Sequence, residues 1–171
     1  TITSFTSTTS NGSYKSAGTV NITATASEAV VADNTITATL DTSDNVTLTA
    51  ADNGTTLVGT YTVGAGDNSN DLTVSSFSIG TVTDIAGNAM SGTTVPDANI
   101  ASGSAIVIDT TVPTITSFTS TTADGSYKSA GTVNITATAS EAVVATNTIT
   151  ATLDTSDNVT LTAADNGTTL V

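Results

Sequence analysis

Residues Thr19–Ala26 read TVNITATA, and the same eight residues return at Thr132–Ala139. Val20, Ile22, Ala24 and Ala26 alternate with Asn21, Thr23 and Thr25. That period of two puts one apolar face on a core and one polar face toward water. Threonine suits the outer face, because its branched β-carbon favours extended backbone and its hydroxyl tolerates solvent. Working outward, the match grows to residues 1–58 against 114–171, an offset of 113 with three differences in 58 positions. Ser10 is matched by Ala123, Asn11 by Asp124 and Asp33 by Thr146. Near-identity over such a span points to recent duplication within an array. A unit of 113 residues is too long for a solenoid repeat and suits a complete β-sandwich of about 100 residues.

The rest of the unit has the same texture. Thr1–Ser7, Thr35–Leu40, Val46–Ala50, Thr55–Val63, Leu72–Ile79 and Ala105–Ile108 read as further strands, with Val82 as another apolar position. Turn-rich stretches separate them at Ser10–Gly18, Asp41–Asn45 and Gly64–Asp71. The spacing predicts an all-β fold with about seven or eight strands per repeat and no helical periodicity. Pro113 directly precedes the second TITSFTS, where its fixed φ and the extended residue before it make a short, stiff connector. Pro96 falls in Ser91–Gly103, read as a long loop or an edge. The expected organisation is a complete domain over residues 1–108, a linker over 109–113, and the N-terminal half of a second domain over 114–171. Half a sandwich leaves a core face and sheet edges uncovered. Either another molecule completes it or the sequence is a window on a longer fibre.

Composition narrows the function. Lys15 and Lys128 are the only cations, against 15 acidic residues, for a net charge of −13 with no His, Cys or Trp. Nucleic acid and anionic lipid are repelled by such a chain, since both are bound by Lys and Arg displacing counterions. High charge with few aromatics is also the mark of disorder. The regular short runs of Val, Ile, Leu and Ala argue for folding instead. No stretch approaches the roughly 20 apolar residues of a membrane-spanning helix, and no basic and then apolar leader opens the chain. Neither end reads as a natural terminus, so the sequence is expected to belong to a longer polypeptide. Lacking His, Cys and Arg, acid–base chemistry would rest on carboxylates, Tyr or one Lys. A glycosidase-like carboxylate pair would lack the aromatic surface that holds a sugar. The expectation is that the chain is not an enzyme.

Several motifs occur in a fixed order: Asp124–Gly131 (DGSYKSAG), Ser140–Val143 (SEAV), Gly66–Asn68 with Asp71–Leu72, Thr83–Ala89 (TDIAGNA) and Ile108–Pro113 (IDTTVP). In that order the chain resembles the immunoglobulin-like extender repeats of giant RTX-type and biofilm-associated bacterial surface adhesins. The resemblance implies a stalk of stacked domains that projects a distal binding module from the cell surface, commonly stiffened by calcium. Asn11, where the family often has Asp, departs from the pattern.

Calcium takes six to eight oxygen ligands, and an acidic chain without His or Cys offers it much and zinc little. The first candidate site joins Asp109 in the linker to Glu141 in the loop after the second strand of the next repeat, with Asp84 or Asn88 reaching the same junction. The alternative is that Asp109 caps a turn and Glu141 is a solvated carboxylate. The second candidate is the loop from Asp67 to Asp71, five consecutive oxygen-bearing side chains, although such clusters also serve ordinary hairpin turns. Lys15 and Glu28 raise the idea of an intramolecular isopeptide bond, but a lysine in a Gly/Ser-rich loop reads as solvated. Threonine pairs such as Thr23 and Thr25 resemble an ice-binding ladder, which twisted sheets present poorly. Asn21–Ile22–Thr23 and Asn45–Val46–Thr47 match the glycosylation pattern, as a Thr-rich chain does by chance.

The reading is therefore an architectural one. The chain is expected to be a Ca²⁺-stiffened extender of an extracellular adhesin on a bacterial surface, with neighbouring repeats as its partners. The alternative is a subunit of a self-assembling fibre or surface layer in which strands pass between copies.

Overall fold

The structure is a computed structural model that describes all 171 residues. The chain forms two compact units, Thr1–Thr111 and Val112–Val171, and the division falls inside the stretch read as a linker.

In unit 1 the alternating segments become strands. They are β1 (Ile2–Thr6), β2 (Gly12–Tyr14), β3 (Thr19–Ala26), β4 (Thr35–Leu40), β5 (Asn45–Ala50), β6 (Thr56–Thr62), β7 (Asn68–Ser69), β8 (Val74–Ile79) and β9 (Ile106–Asp109). Six of them make one sheet in the order β1-β3-β6-β5-β4-β8, with every neighbouring pair antiparallel. The period of two does what the sequence reading requires. Val20, Ile22, Ala24 and Ala26 of β3 are buried, as are Ile36, Ala38 and Leu40 of β4 and Val46, Leu48 and Ala50 of β5. Thr19 and Asn21 of β3 remain exposed.

A second sheet has the order β2-β9-β7. Here β2 runs parallel to β9, with Gly12 opposite Ile106 and Tyr14 opposite Ile108. Ile106 and Ile108 share one core cluster with Phe5, Val20, Leu48 and Leu57 of the larger sheet. Within that core the rings of Phe5 and Phe77 meet edge to face, 5.5 Å between centroids and 66° between planes, the arrangement aromatic quadrupoles favour.

Three elements lie where the sequence reads as turn or loop. β2 sits inside Ser10–Gly18, β7 inside Gly64–Asp71, and a single helical turn, α1 (Ile100–Gly103), inside Ser91–Gly103. Asn99 makes α1 possible. Its side-chain oxygen accepts from the backbone N–H of Ile100 at 2.8 Å and of Val74 at 3.0 Å, while its own N–H donates to Ser102 Oγ at 3.0 Å. This reciprocal cap satisfies donors that a helix start leaves orphaned and seats Ile100 in the core, 1 % exposed.

Unit 2 comprises β10 (Ile115–Thr119), β11 (Thr136–Ala139), β12 (Thr148–Thr152), β13 (Asn158–Thr162) and β14 (Thr169–Leu170). They form a sheet in the order β10-β11-β14 and a separate β12-β13 pair. Ile115 pairs with Ala139 and Phe118 with Ala137, the register of Ile2 with Ala26 and Phe5 with Ala24 in unit 1. Where unit 2 lacks partners, its strands shorten. β3 begins at Thr19 because residues 19–22 pair with residues 59–62. β11 begins four positions later in the repeat, at Thr136, since nothing in unit 2 corresponds to residues 59–62. The core shrinks to Ala137, Ala139, Leu161, Ala163 and Leu170. Phe118 is 55 % exposed and Val133 52 %, against 0 % for their counterparts Phe5 and Val20.

Candidate functional site

The acidic loops of unit 1 gather at its two ends. At the end where β1 starts, the Thr1 amino group donates to Ser27 Oγ at 3.1 Å, and the loop after β3 carries Glu28 past it. Val30 then bridges to Asp84, and the backbone N–H of Val31 donates to the carbonyl of Thr83 at 3.0 Å. Asp84 closes its own turn. Oδ1 accepts from the backbone N–H of Asn88 and Oδ2 from its side-chain amide, both at 2.7 Å. Gly87, at φ +91°, supplies the left-handed residue the turn requires. The Asn88 side-chain amide, and after it the backbone N–H, hold the Asp84 carboxyl below its ordinary value. Thr1, Glu28, Val30, Asp84, Asn88 and Met90 line a cavity of about 30 Å³ beside this turn, room for about one water.

The opposite end holds a denser polar group. Tyr61 donates its hydroxyl to Asp67 Oδ2 at 2.5 Å, and Gly64 donates its backbone N–H to the same oxygen at 2.6 Å. These donors, Tyr61 first, hold the Asp67 carboxyl below its ordinary value. Burial first, and then the bond to Asp67, push the Tyr61 phenol up. Asp41 accepts from Ser69 Oγ at 2.6 Å and from the backbone of Thr73 at 3.2 Å. In the β4–β5 hairpin, Thr42 Oγ1 and Asp44 Oδ2 are buried without hydrogen-bond partners. Residues just past β9 are tied to the same loops. Thr110 Oγ1 donates to the carbonyl of Asp67 at 3.0 Å, and its N–H donates to Asn68 Oδ1 at 3.1 Å.

The residues singled out from sequence are thus distributed as follows. Asp84 and Asn88 lie together at the Thr1 end beside Glu28. Asp109 lies at the other end, paired with Asn68, where Oδ1 accepts from the backbone N–H of Thr111 at 3.0 Å. Asp67 is engaged with Tyr61 and Gly64, whereas Asp71 is exposed. Glu141, the unit 2 counterpart of Glu28, has a buried Oε1 with no hydrogen-bond partner. Lys15 is exposed, unlike the buried lysine an isopeptide bond needs. Asn21 is fully engaged. Its Oδ1 accepts from Ser7 Oγ at 2.9 Å and from the backbone of Thr8 at 2.8 Å, and its amide donates to Thr8 Oγ1.

The role of Thr110 escapes sequence reading, because its partners Asn68 and Asp67 lie 42 and 43 residues away in the chain. For calcium the donor chemistry suits a hard cation, since Glu28, Asp84 and Asn88 offer oxygens. The number does not suffice within unit 1. No group of three or more Asp or Glu side chains is placed to hold a metal, against the six to eight oxygens the ion takes. Compared with protein families, curated proteins and solved structures, the chain shows no match.

Proposed function

We propose that this chain is a structural segment of an extracellular bacterial stalk, built from tandem immunoglobulin-like β-sandwich repeats, and that it carries no catalytic activity. The observation that carries the reading is the 113-residue offset. Two copies of one sequence adopt the same β1–β3 register, so the repeat is a structural unit. The parallel β2–β9 pair and the core shared by two sheets support the sandwich assignment. The motif order that resembles adhesin extender repeats supports the surface location and a role in adhesion or biofilm formation.

Calcium enters as a stiffening ion for the acidic loops. Glu28, Asp84 and Asn88 line one cavity at the Thr1 end of unit 1, and further ligands have to come from outside that set. Asp109, Glu141, Asp67 and Asp71 are the other candidates drawn from sequence.

Polypeptides of one, two and four complete repeats test the stalk by small-angle scattering. A maximum dimension that grows in proportion to repeat number is expected, and coil-like scaling would overturn the stalk. Melting the two-repeat form in excess Ca²⁺ and then in excess chelator tests the ion. A fall in Tm on chelation that Asp109→Ala or Glu141→Ala abolishes supports calcium stiffening, because a ligand bound by the native state alone stabilises it. An unchanged curve removes calcium and leaves packing and Pro113.

A further inference from the structure

We infer that Asn53 is a site of self-modification, at which the backbone nitrogen of Gly54 displaces the side-chain amide and leaves aspartate or isoaspartate in a loop of unit 1. Unit 1 contains two Asn–Gly pairs, Asn11–Gly12 and Asn53–Gly54. Asparagine is a thermally labile residue, and a glycine after it has no Cβ to shield its nitrogen. The two pairs are equal in sequence. The fold makes them unequal.

Gly12 opens β2, and its N–H donates to the carbonyl of Ala105 at 3.0 Å. Asn11 Oδ1 accepts the N–H of the same residue at 2.9 Å. The nitrogen that would attack is thus held alongside β9, and freeing it requires β2 to open. Asn53 and Gly54 lie instead in the turn between β5 and β6, with Asn53 exposed. Gly54 anchors that turn through its carbonyl, which accepts from the N–H of Val30 at 2.9 Å, while its own N–H enters no hydrogen bond. Asn53 Oδ1 accepts from the backbone N–H of Ala32 at 2.8 Å. That bond fixes the side chain and stabilises the negative charge that attack places on Oδ1. The amides of Asn34, Asn88 and Asn99 donate to Thr83, Asp84 and Val74. The Asn53 amide donates to nothing, so its loss as ammonia breaks no contact of the folded state.

Water is the only co-reactant. The Gly54 nitrogen gives its proton to solvent and bonds to Asn53 Cγ. The Cγ–Nδ2 bond then breaks, and ammonia departs with a proton taken back from solvent, which closes a succinimide ring. Water opens that ring at either carbonyl. Cleavage at Cγ leaves aspartate, and cleavage at the main-chain carbonyl leaves isoaspartate, whose backbone is longer by a methylene. Aspartate keeps an oxygen for the N–H of Ala32, whereas isoaspartate carries the main chain through Cγ and displaces it. Either product adds a negative charge to a chain already at −13, and the run ADNGTT of residues 51–56 recurs at residues 164–169. The inference rests on local geometry and not on the stalk reading, and neither falls with the other.

The test incubates the full 171-residue chain in mildly alkaline buffer, with and without denaturing urea, and follows both pairs by mass spectrometry. Cleavage after Glu28 and Glu141, the two glutamates, separates Asn11 from Asn53. In the folded chain Asn53 should convert at least ~10-fold faster than Asn11, the ratio produced if opening β2 costs only about 1.4 kcal/mol. In urea the two rates should converge. The folded product should contain isoaspartate, read by enzymatic methylation of that residue. Gly54→Ala should slow the conversion, because a Cβ crowds the attacking nitrogen. An Asn53 that stays intact in the folded chain, or an Asn11 that converts as fast there, would overturn the inference. So would rates that stay apart in urea, a product of aspartate alone, or a Gly54→Ala chain that converts at an unchanged rate.

Discussion

Phe5→Ala and Phe118→Ala remove the same side chain from the same sequence context in two copies of one repeat, and their costs should differ sharply. Phe5 is 0 % exposed, and its ring meets Phe77 at 5.5 Å. Truncating a fully buried Phe costs about 3–5 kcal/mol through lost transfer energy and the cavity left behind. Phe118 is 55 % exposed, so truncation removes mostly surface already in water and should cost its own unit less than about 1 kcal/mol. At roughly 4 °C per kcal/mol for a domain of this size, Phe5→Ala should lower the unit 1 transition by about 15 °C. The edge-to-face contact adds a second quantity. An aromatic pair contributes about 0.5–1.5 kcal/mol beyond burial, so Phe5→Ala and Phe77→Ala should couple by that amount in a double-mutant cycle. Scanning calorimetry with hydrogen exchange to assign each transition gives all four values. Additivity within about 0.3 kcal/mol would refute the ring contact. A Phe118→Ala cost equal to that of Phe5→Ala would refute the claim that the face of unit 2 is uncovered.

Two further predictions concern single residues. Asp33 sits at φ 65° and its counterpart Thr146 at φ 70°; a β-branched residue is a poor fit there, whereas Asp enters the left-handed region readily. Asp33→Thr should therefore destabilise unit 1 by about 1 kcal/mol, read as a lower urea midpoint at unchanged slope, and no change would remove the strain argument. The Asp67 carboxyl is held below its ordinary value, chiefly by Tyr61. Its contribution is present above the ordinary carboxylate range and lost as pH falls through the lower folded value. Asp67→Asn should flatten the acid limb of a stability–pH curve, and Tyr61→Phe should flatten it partly; an acid limb unchanged in both variants would contradict the assignment.

How much of this architecture is legible in sequence depends on where each element finds its partner. β3, β4 and β5 are legible because alternation over six or eight residues records burial directly. β2 is not, and the duplication shows why. Gly12–Tyr14 and its counterpart at residues 125–127 have the same sequence, GSY. The first is a strand along β9; the second, with no such partner in unit 2, is not a strand. Extended structure there is conferred by a partner some ninety residues away, so no local pattern can encode it. The candidate site divides the same way. Asp84 and Asn88 form a local turn, visible as DIAGN. That Glu28 shares their cavity, and that Thr110 is tied to Asp67 and Asn68, follows from strand order, which a single unaligned sequence does not reveal. The changes between copies spare these contacts. Asn11 accepts the backbone N–H of Ala105 through its side-chain oxygen, an acceptor that Asp124 retains. Tyr14 and Tyr127 both bond to a backbone carbonyl, of Ser10 and Ala123 respectively, which is indifferent to the side chain there.

For the proposed load-bearing role, the consequence of this topology lies in where the ends of unit 1 leave it. β1 starts at the end that holds Glu28 and Asp84. β9 finishes at the end that holds Asp67 and Asn68, beside which Thr110 is tied by hydrogen bonds to both. Tension applied through the two ends pulls β1 and β9 in opposite directions along the strand axis. β9 is flanked by β2 on one side and β7 on the other, so leaving requires the bonds of both ladders to break together in shear. Sequential unzipping from one end would load one bond at a time. The Thr110 contacts add a latch at the point where force enters through β9. A repeat arranged in this way resists extension through backbone pairing that its Thr-rich sequence supplies in quantity, and a bound ion would add to that resistance without being its source.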